Sequence, residues 1–251
     1  MKALARLMLL VVVAAVSLEL FFIGWIALMV DIDPRSTTFQ RSEAWRLATT
    51  KPPLRWSHHW VSYDRISSNL KRAVIASEDD NFVTHDGVDW EALEKAWERN
   101  AQAQERAARQ QARAVGRVRA GPPPAMKQPK IVGGSTITQQ LAKNLLLSGE
   151  RTLLRKGQEI VLTFALERFL TKERILDIYL NSVEWGEGVY GAEAAARHYY
   201  RKSASQLTPY EAARLAVMLP RPKYFEKVPN SRYLSSRAVT IEARMHAAEL
   251  P

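Results

Sequence analysis

The chain has 251 residues, 47% of them apolar, a formal net charge of +10 and no cysteine. That length allows one domain with a buried core plus an appendage, and the missing cysteines exclude disulfides, thiolate metal sites and thiol redox chemistry. The basic balance would suit nucleic acid, but no nucleic-acid motif accompanies it, so anionic lipid headgroups or phosphorylated substrates are the partners it points to.

The appendage comes first. From Leu7 to Val30 the chain is apolar, with Lys2 and Arg6 before it and Asp31 and Asp33 after it. This predicts residues 1–30 as a cytoplasmic N-terminus with one transmembrane helix, the bulk lying outside. The run is too long for the apolar core of a cleaved signal peptide, so it reads as an anchor. Glu19 lies inside it and is costly in lipid, which calls for a partner, a wet position or protonation. Residues 31–66, with Pro34, Pro52 and Pro53 among Trp45, Trp56 and Trp60, read as irregular or short-helical chain near the membrane. From residue 67 onward the chain reads as the main domain.

Ser67 is a cap for a helix that delivers Glu78, Asp79 and Asp80 to its C-terminal end. Negative charge is unfavourable there, so a cation, hydrogen bonds or a raised pKa must compensate. A second helix begins near Val88 and runs through Trp97 into a stretch rich in Gln, Ala and Arg. Between Ala101 and Lys130 seven basic residues face one acidic residue, and Gly121-Pro122-Pro123-Pro124 breaks any helix. This insertion, about 101–130, reads as solvated and partly disordered. Gly133 and Gly134 then lead into Ser135-Thr136-Ile137-Thr138-Gln139-Gln140, where Thr136 and Gln139 have capping-box spacing. The glycines and the free N–H groups of the helix start suit an anionic ligand such as phosphate. Leu153–Leu170, Lys172–Leu180, a capped segment from Thr208-Pro209-Tyr210-Glu211, and Ser231–His246 read as further helices. Strand signals are scarce, so the fold class is mainly α.

Three elements carry the chemistry. Glu78 to Gly87 joins a carboxylate cluster, able to supply a general base, to Phe82, His85 and a glycine. The turn from Gly133 to Asn144 is the second. In the third, Arg151 to Glu159, Arg155 and Lys156 precede Glu159 by one helical turn, so both charge signs share a face.

In this order the motifs resemble glycosyltransferase family fifty-one, the peptidoglycan glycosyltransferases, from about Tyr63 to Phe225. The matching elements are Glu78 to Gly87, Gly133 to Gln140 with Lys143, Arg155 to Glu159, Tyr179-Leu180-Asn181 with Gly186 and Gly188, Tyr190-Gly191 with Ala194 to Ala196, and Leu219-Pro220. The resemblance implies a lysozyme-like domain and polymerisation of lipid II with inversion. It implies Glu78 as the catalytic base and Glu159 as a second functional glutamate. It places Lys143, Arg151, Arg155 and Lys156 at the donor pyrophosphate and Ser135, Thr138, Gln139 and Gln140 along the donor cleft. Phe82, His85, Gly87, Gly133, Gly134 and Asn181 are motif positions with structural roles; for His85 a hydrogen bond holding the turn is preferred over proton transfer. The ligands of any metal stay unassigned. Magnesium or manganese, bound with the pyrophosphate, is implied by the resemblance only, since the five histidines show no ligand spacing. No organic cofactor is expected. Implied partners are lipid II, the growing lipid-linked glycan, inner-membrane lipids and cell-wall synthesis or division proteins, without nucleic acid. The short chain looks like the monofunctional form in the inner membrane of Gram-negative bacteria, its catalytic domain periplasmic.

Three rival readings carry less. A muramidase would share a helical domain and one glutamate but offers the cations no phosphate to bind. Ser68 to Lys71 matches a transpeptidase S-x-x-K without its partner motifs. A non-enzymatic scaffold predicts that Glu78 is dispensable.

Overall fold

The computed structural model of the chain describes residues 1–50, 53, 55–115, 133–147, 149–150 and 152–251, the side chains of 111–115 excepted. The chain divides into two compact units, residues 1–87 with 136–251 and residues 88–135.

In the first unit the helices are α1 (Lys2–Leu28), α2 (Thr38–Thr50) and α3 (Ser68–Glu78). The second unit is built on α4 (Trp90–Val115). The first unit resumes with α5 (Ile137–Leu146), α6 (Leu153–Phe169), α7 (Lys172–Ser182), α8 (Ala192–Tyr200), α9 (Pro209–Met218), α10 (Pro222–Lys227) and α11 (Arg232–Arg244). Helix α1 is long and apolar enough to cross a bilayer, and its side chains up to Leu18 are exposed. The caps read from sequence form: Ser67 accepts from Asn69, and Thr136–Gln139 and Thr208–Glu211 close full capping boxes.

Helix α3 is apolar around most of its circumference, as a central helix must be. Leu70, Ala73, Val74, Ile75 and Ala76 are all buried, and the helix packs against α9 and α11. Lys71 is buried with them, its ammonium 3.5 Å from the centre of the Tyr63 ring. Because this helix runs through the core, Asp79 at its end is buried and Glu78 half-buried, while Asp80 reaches the surface and pairs with Arg244.

Of the irregular and short-helical alternatives read for the segment after α1, the structure shows a helix, α2, tied into the unit. Helix α2 bonds across the unit, Thr38 Oγ1 donating to Leu145 O (2.9 Å) and Gln40 Nε2 to Ser182 O (3.1 Å). Lys223 further ties Glu43 of this helix to Glu184, whose burial pushes its pKa up to about 7. A small sheet also exists, in the order β1 (Ser57–His58), β3 (Val189–Tyr190), β2 (Glu184–Gly186). Strand β1 runs parallel to β3 and β2 antiparallel to it through an irregular register. Strands of two or three residues are too short for alternation to register in sequence.

Asn181 fastens this sheet to α7. It is fully buried; its Oδ1 accepts from Val61 N, and its Nδ2 donates to Val61 O, Asp177 O and Asp177 Oδ1, all at 2.9–3.0 Å. Gly191, at φ +83°, passes so close to the Asn181 carbonyl that a Cβ would lie 2.6 Å from its oxygen. In the second unit, Asp89 Oδ1 accepts from Ala92 N (2.8 Å) at the start of α4. This helix continues to Val115, into the stretch expected to be a disordered insertion; the rest of that expectation, from residue 116 on, lies outside the described residues.

Asn181→Ala leaves the Val61 amide and carbonyl unpaired in the interior. It is expected to cost roughly 2–3 kcal/mol, read as a lower thermal midpoint of the detergent-solubilised protein.

Candidate active site

The site forms where α3 ends and α5 begins. After Glu78 the chain turns sharply, and Asp79 directs its carboxylate inward. Asp79 Oδ1 meets His85 Nε2 at 2.8 Å, and Asp79 Oδ2 accepts from Ile137 N, the first amide of α5, at 2.9 Å. Gly87 N donates to His85 Nδ1 (3.1 Å), so Nε2 carries the proton offered to Asp79. His85 therefore bridges Asp79 and the Gly87 amide across the turn. Thr136 Oγ1 adds a bond to Gly87 O (2.6 Å). Gly87 must be glycine on two counts: its φ is +87°, and a Cβ would lie 2.7 Å from Thr163 Cγ2.

These bonds revise one expectation. The N-terminus of α5 is not open to a phosphate. Ile137 N is taken by Asp79, Thr136 N by Gln139 Oε1 and Gln139 N by Thr136 Oγ1. The anion at this helix end is the protein's own Asp79. Thr138 and Gln139 are likewise turned into the fold, Thr138 fully buried with its hydroxyl donating to Glu167 Oε1 (2.6 Å). Neither side chain faces a cleft.

Gln140 does. Its Nε2 donates to Glu78 Oε2 at 2.9 Å, and its Oε1 accepts from the hydroxyl of buried Tyr179 at 3.0 Å. The row Tyr179–Gln140–Glu78 fixes the orientation of the Glu78 carboxylate. Burial holds the Glu78 pKa above the usual glutamate range; the Gln140 bond and the Lys143 charge pull it down, while neighbouring Asp79 pushes it up. Lys143 itself is exposed, one turn further along α5.

On α6, Arg155 Nη1 meets Glu159 Oε2 at 2.8 Å and Lys156 Nζ pairs with Glu159 Oε1. Glu159 is buried and Lys156 is half exposed, so one carboxylate carries two cations and leaves a net positive turn. Arg155 Nε is buried without a hydrogen-bond partner. With both oxygens engaged, Glu159 is a poor ligand for a divalent cation. Among the described residues, no group of three or more His, Asp or Glu side chains could hold one.

Sequence reading missed several supporting residues. Asp79 went unassigned although it joins both halves of the site. Lys172 donates to Glu167 Oε1 (2.9 Å) and to His85 O, with its ammonium 4.8 Å from the ring centre of fully buried Phe82. Partners 58 and 87 positions apart give no local signal for either. Gly133, Gly134 and Ser135 belong to the second unit, where a Cβ on Gly134 would meet Leu93 and Ala96 at 3.3 Å and Ser135 is exposed. Arg151 lies outside the described residues.

A mainly helical, lysozyme-like frame with one buried carboxylate at the end of its central helix and a basic turn on another is the arrangement of a glycosyltransferase. The comparisons with known proteins are specific. A family model described as Transglycosylase matches residues 47–110 and 115–246. The biosynthetic peptidoglycan transglycosylase of Paraburkholderia phytofirmans is 52% identical over 241 residues, 96% of this chain and 90% of that protein. Its namesakes from Paraburkholderia xenovorans (50%, with the same coverage) and Burkholderia lata (52%, 93% of this chain and 85% of that protein) are as similar. The chain belongs to the Transglycosylase family.

The Gln140 bond makes the activity's pH dependence testable. Were Glu78 a general base it would act as the carboxylate, and activity would fall as pH drops through its pKa. Gln140→Leu removes a bond that lowers this pKa. The acid limb of kcat/KM against pH is expected to move to higher pH, with the largest loss on the acid side.

Proposed function

We propose that this chain is a peptidoglycan glycosyltransferase that polymerises lipid II into β-1,4-linked glycan, with Glu78 as its one general base. The donor is the growing glycan on undecaprenyl pyrophosphate. The acceptor is the N-acetylglucosamine 4-hydroxyl of another lipid II. Glu78 takes the hydroxyl proton as the oxygen attacks the donor anomeric carbon from the face opposite the pyrophosphate, the C–O bond to pyrophosphate breaks, and configuration inverts. The observation that carries this reading is the half-buried, poorly solvated Glu78 carboxylate, oriented by Gln140 and electrostatically coupled to Lys143.

A glycosidase needs a second carboxyl group to protonate a departing sugar oxygen. Pyrophosphate leaves as an anion and needs positive charge instead. Lys143, Arg155 and Lys156 supply it in this reading, with Arg151 and Ser135 assigned from sequence. Glu159 holds the Arg155 and Lys156 head groups in place before substrate arrives, which lowers the ordering cost at binding. Thr138 and Gln139 act through the frame. The family implies a divalent cation accompanying the pyrophosphate, and no step here runs through it. We assign α1 as a single-pass inner-membrane anchor, N-terminus cytoplasmic and catalytic domain periplasmic, which brings the site to lipid-linked substrate and to other cell-wall proteins.

Detergent-solubilised protein incubated with lipid II and a divalent cation should yield glycan polymer resolved by size. Glu78→Gln should lose about 10²- to 10⁴-fold in rate while still binding lipid II, because it removes the base and little volume. Polymer formed by both proteins at equal rates would remove Glu78 from this role, and digestion of isolated sacculi would replace synthesis by hydrolysis. Lys143→Glu should weaken donor binding; unchanged donor affinity would count against the pyrophosphate assignment.

A further inference from the structure

Glu19 is the sole ionisable side chain between Arg6 and Asp31. In a membrane span such a group is costly unless it is paired, and it usually serves a purpose. Its neighbours show which. Along α1 the side chains before Glu19 are exposed; from Glu19 onward a stripe of Glu19, Phe22, Ile26 and Met29 turns toward the domain, with Ile26 and Met29 buried. The spacing of three, seven and ten residues keeps these on one helix face. Glu19 is the innermost member of that stripe, where α1 parts from the rest of the unit.

There it meets α6. Gln158 Nε2 donates to Glu19 Oε1 at 3.0 Å, and Glu19 Oε2 is buried without a hydrogen-bond partner. The outer end of α1 is tied separately, Arg174 Nε donating to Met29 O and Arg174 Nη2 meeting Asp33 Oδ1, both at 2.8 Å. Glu19 to Met29 spans about 15 Å of helix and Gln158 to the end of α6 about 16 Å. The matching lengths and the order of these contacts lay α6 parallel to α1, Gln158 beside Glu19 and the chain just past its C-terminal end beside Met29. Leu153 and Leu154 at its tip are 92% and 86% exposed, which suits apolar surroundings rather than water. Gln158 occupies the same helical turn as Arg155, Lys156 and Glu159.

We propose that Glu19 and Gln158 are positioning residues, a polar lock between anchor and catalytic domain. The lock fixes the position and rotation of the first turn of α6 relative to the anchor, and so the place from which Arg155 and Lys156 meet the lipid-linked pyrophosphate. The lock is specific because an apolar helix face can slide or rotate against its neighbour at little cost, whereas a hydrogen bond enclosed at membrane depth has one register. This inference rests on the reading of α1 as the membrane anchor and of the α6 cations as pyrophosphate ligands.

The cysteine-free chain allows a test that does not depend on activity. Glu19→Cys with Gln158→Cys, treated in native membranes with a short bifunctional thiol reagent, is expected to give a linked peptide by mass spectrometry. Phe21→Cys with Gln158→Cys should not, since Phe21 lies about 200° around the helix and is 65% exposed. No link in the first pair, or equal linking in both, overturns the contact. In vesicles containing lipid II, Glu19→Leu and Gln158→Leu are each expected to raise KM several-fold with kcat little changed. The double variant should be no worse than the worse single one, and Glu19→Gln, which keeps an acceptor, should behave as wild type. Additive losses, unchanged single variants or a fall in kcat alone overturn the positioning role. Wild-type and Glu78→Gln protein in the same vesicles report separately on the polymerisation reading; if wild type makes no polymer, that reading fails while the linking result still decides the contact.

Discussion

One carboxylate joins the parts of this site. Asp79 accepts from His85 on one oxygen and from the first amide of α5 on the other, so the end of the central helix and the start of the next are pinned through a single side chain. Its charge lies at the wrong end of α3 and at the right end of α5. The favourable field at the α5 N-terminus offsets the unfavourable one at the α3 C-terminus, which resolves how a carboxylate cluster is tolerated there. Because Glu78 is the preceding residue and Gln140 lies in the first turn of α5, fixing Asp79 also sets the distance between the Glu78 carboxylate and the Gln140 amide.

Around that joint the protein separates two electrostatic tasks. Glu78 sits in a poorly solvated place where its charged form is disfavoured, which makes it a better proton acceptor at neutral pH than an exposed glutamate. The cations on α6 are arranged oppositely, gathered about a buried carboxylate that keeps like charges from repelling one another while leaving net positive charge. Neither group could do the other's task in its own surroundings.

The parts legible in sequence were those with local causes. Ser67, Thr136 with Gln139, and Thr208 with Glu211 are caps whose donor and acceptor lie within three residues, and each forms. The apolar run of α1 is legible for the same reason. The β1–β3–β2 sheet is not, because its strands are only two or three residues long and β1 joins β3 across more than a hundred positions. The Gly133–Gln140 turn was legible as a helix start and misleading as a phosphate cradle. The Thr136–Gln139 box announced the cap, while the acceptor for Ile137 N was a side chain 58 positions upstream that nothing local identifies. The Glu19 partner was equally out of reach, since Gln158 is an ordinary polar residue on a helix until the two helices are laid side by side.

The ties made by α2 bear on where the catalytic domain can be cut. A soluble fragment begun at Ser67 would strip the partners from Leu145 O, Ser182 O and Asn181, and would open the enclosure around Glu184 to water. A fragment that keeps these ties starts no later than Thr37, whose hydroxyl accepts from Gln40 N at the head of α2. Helix α2 is thus part of the enzyme's body rather than its tether.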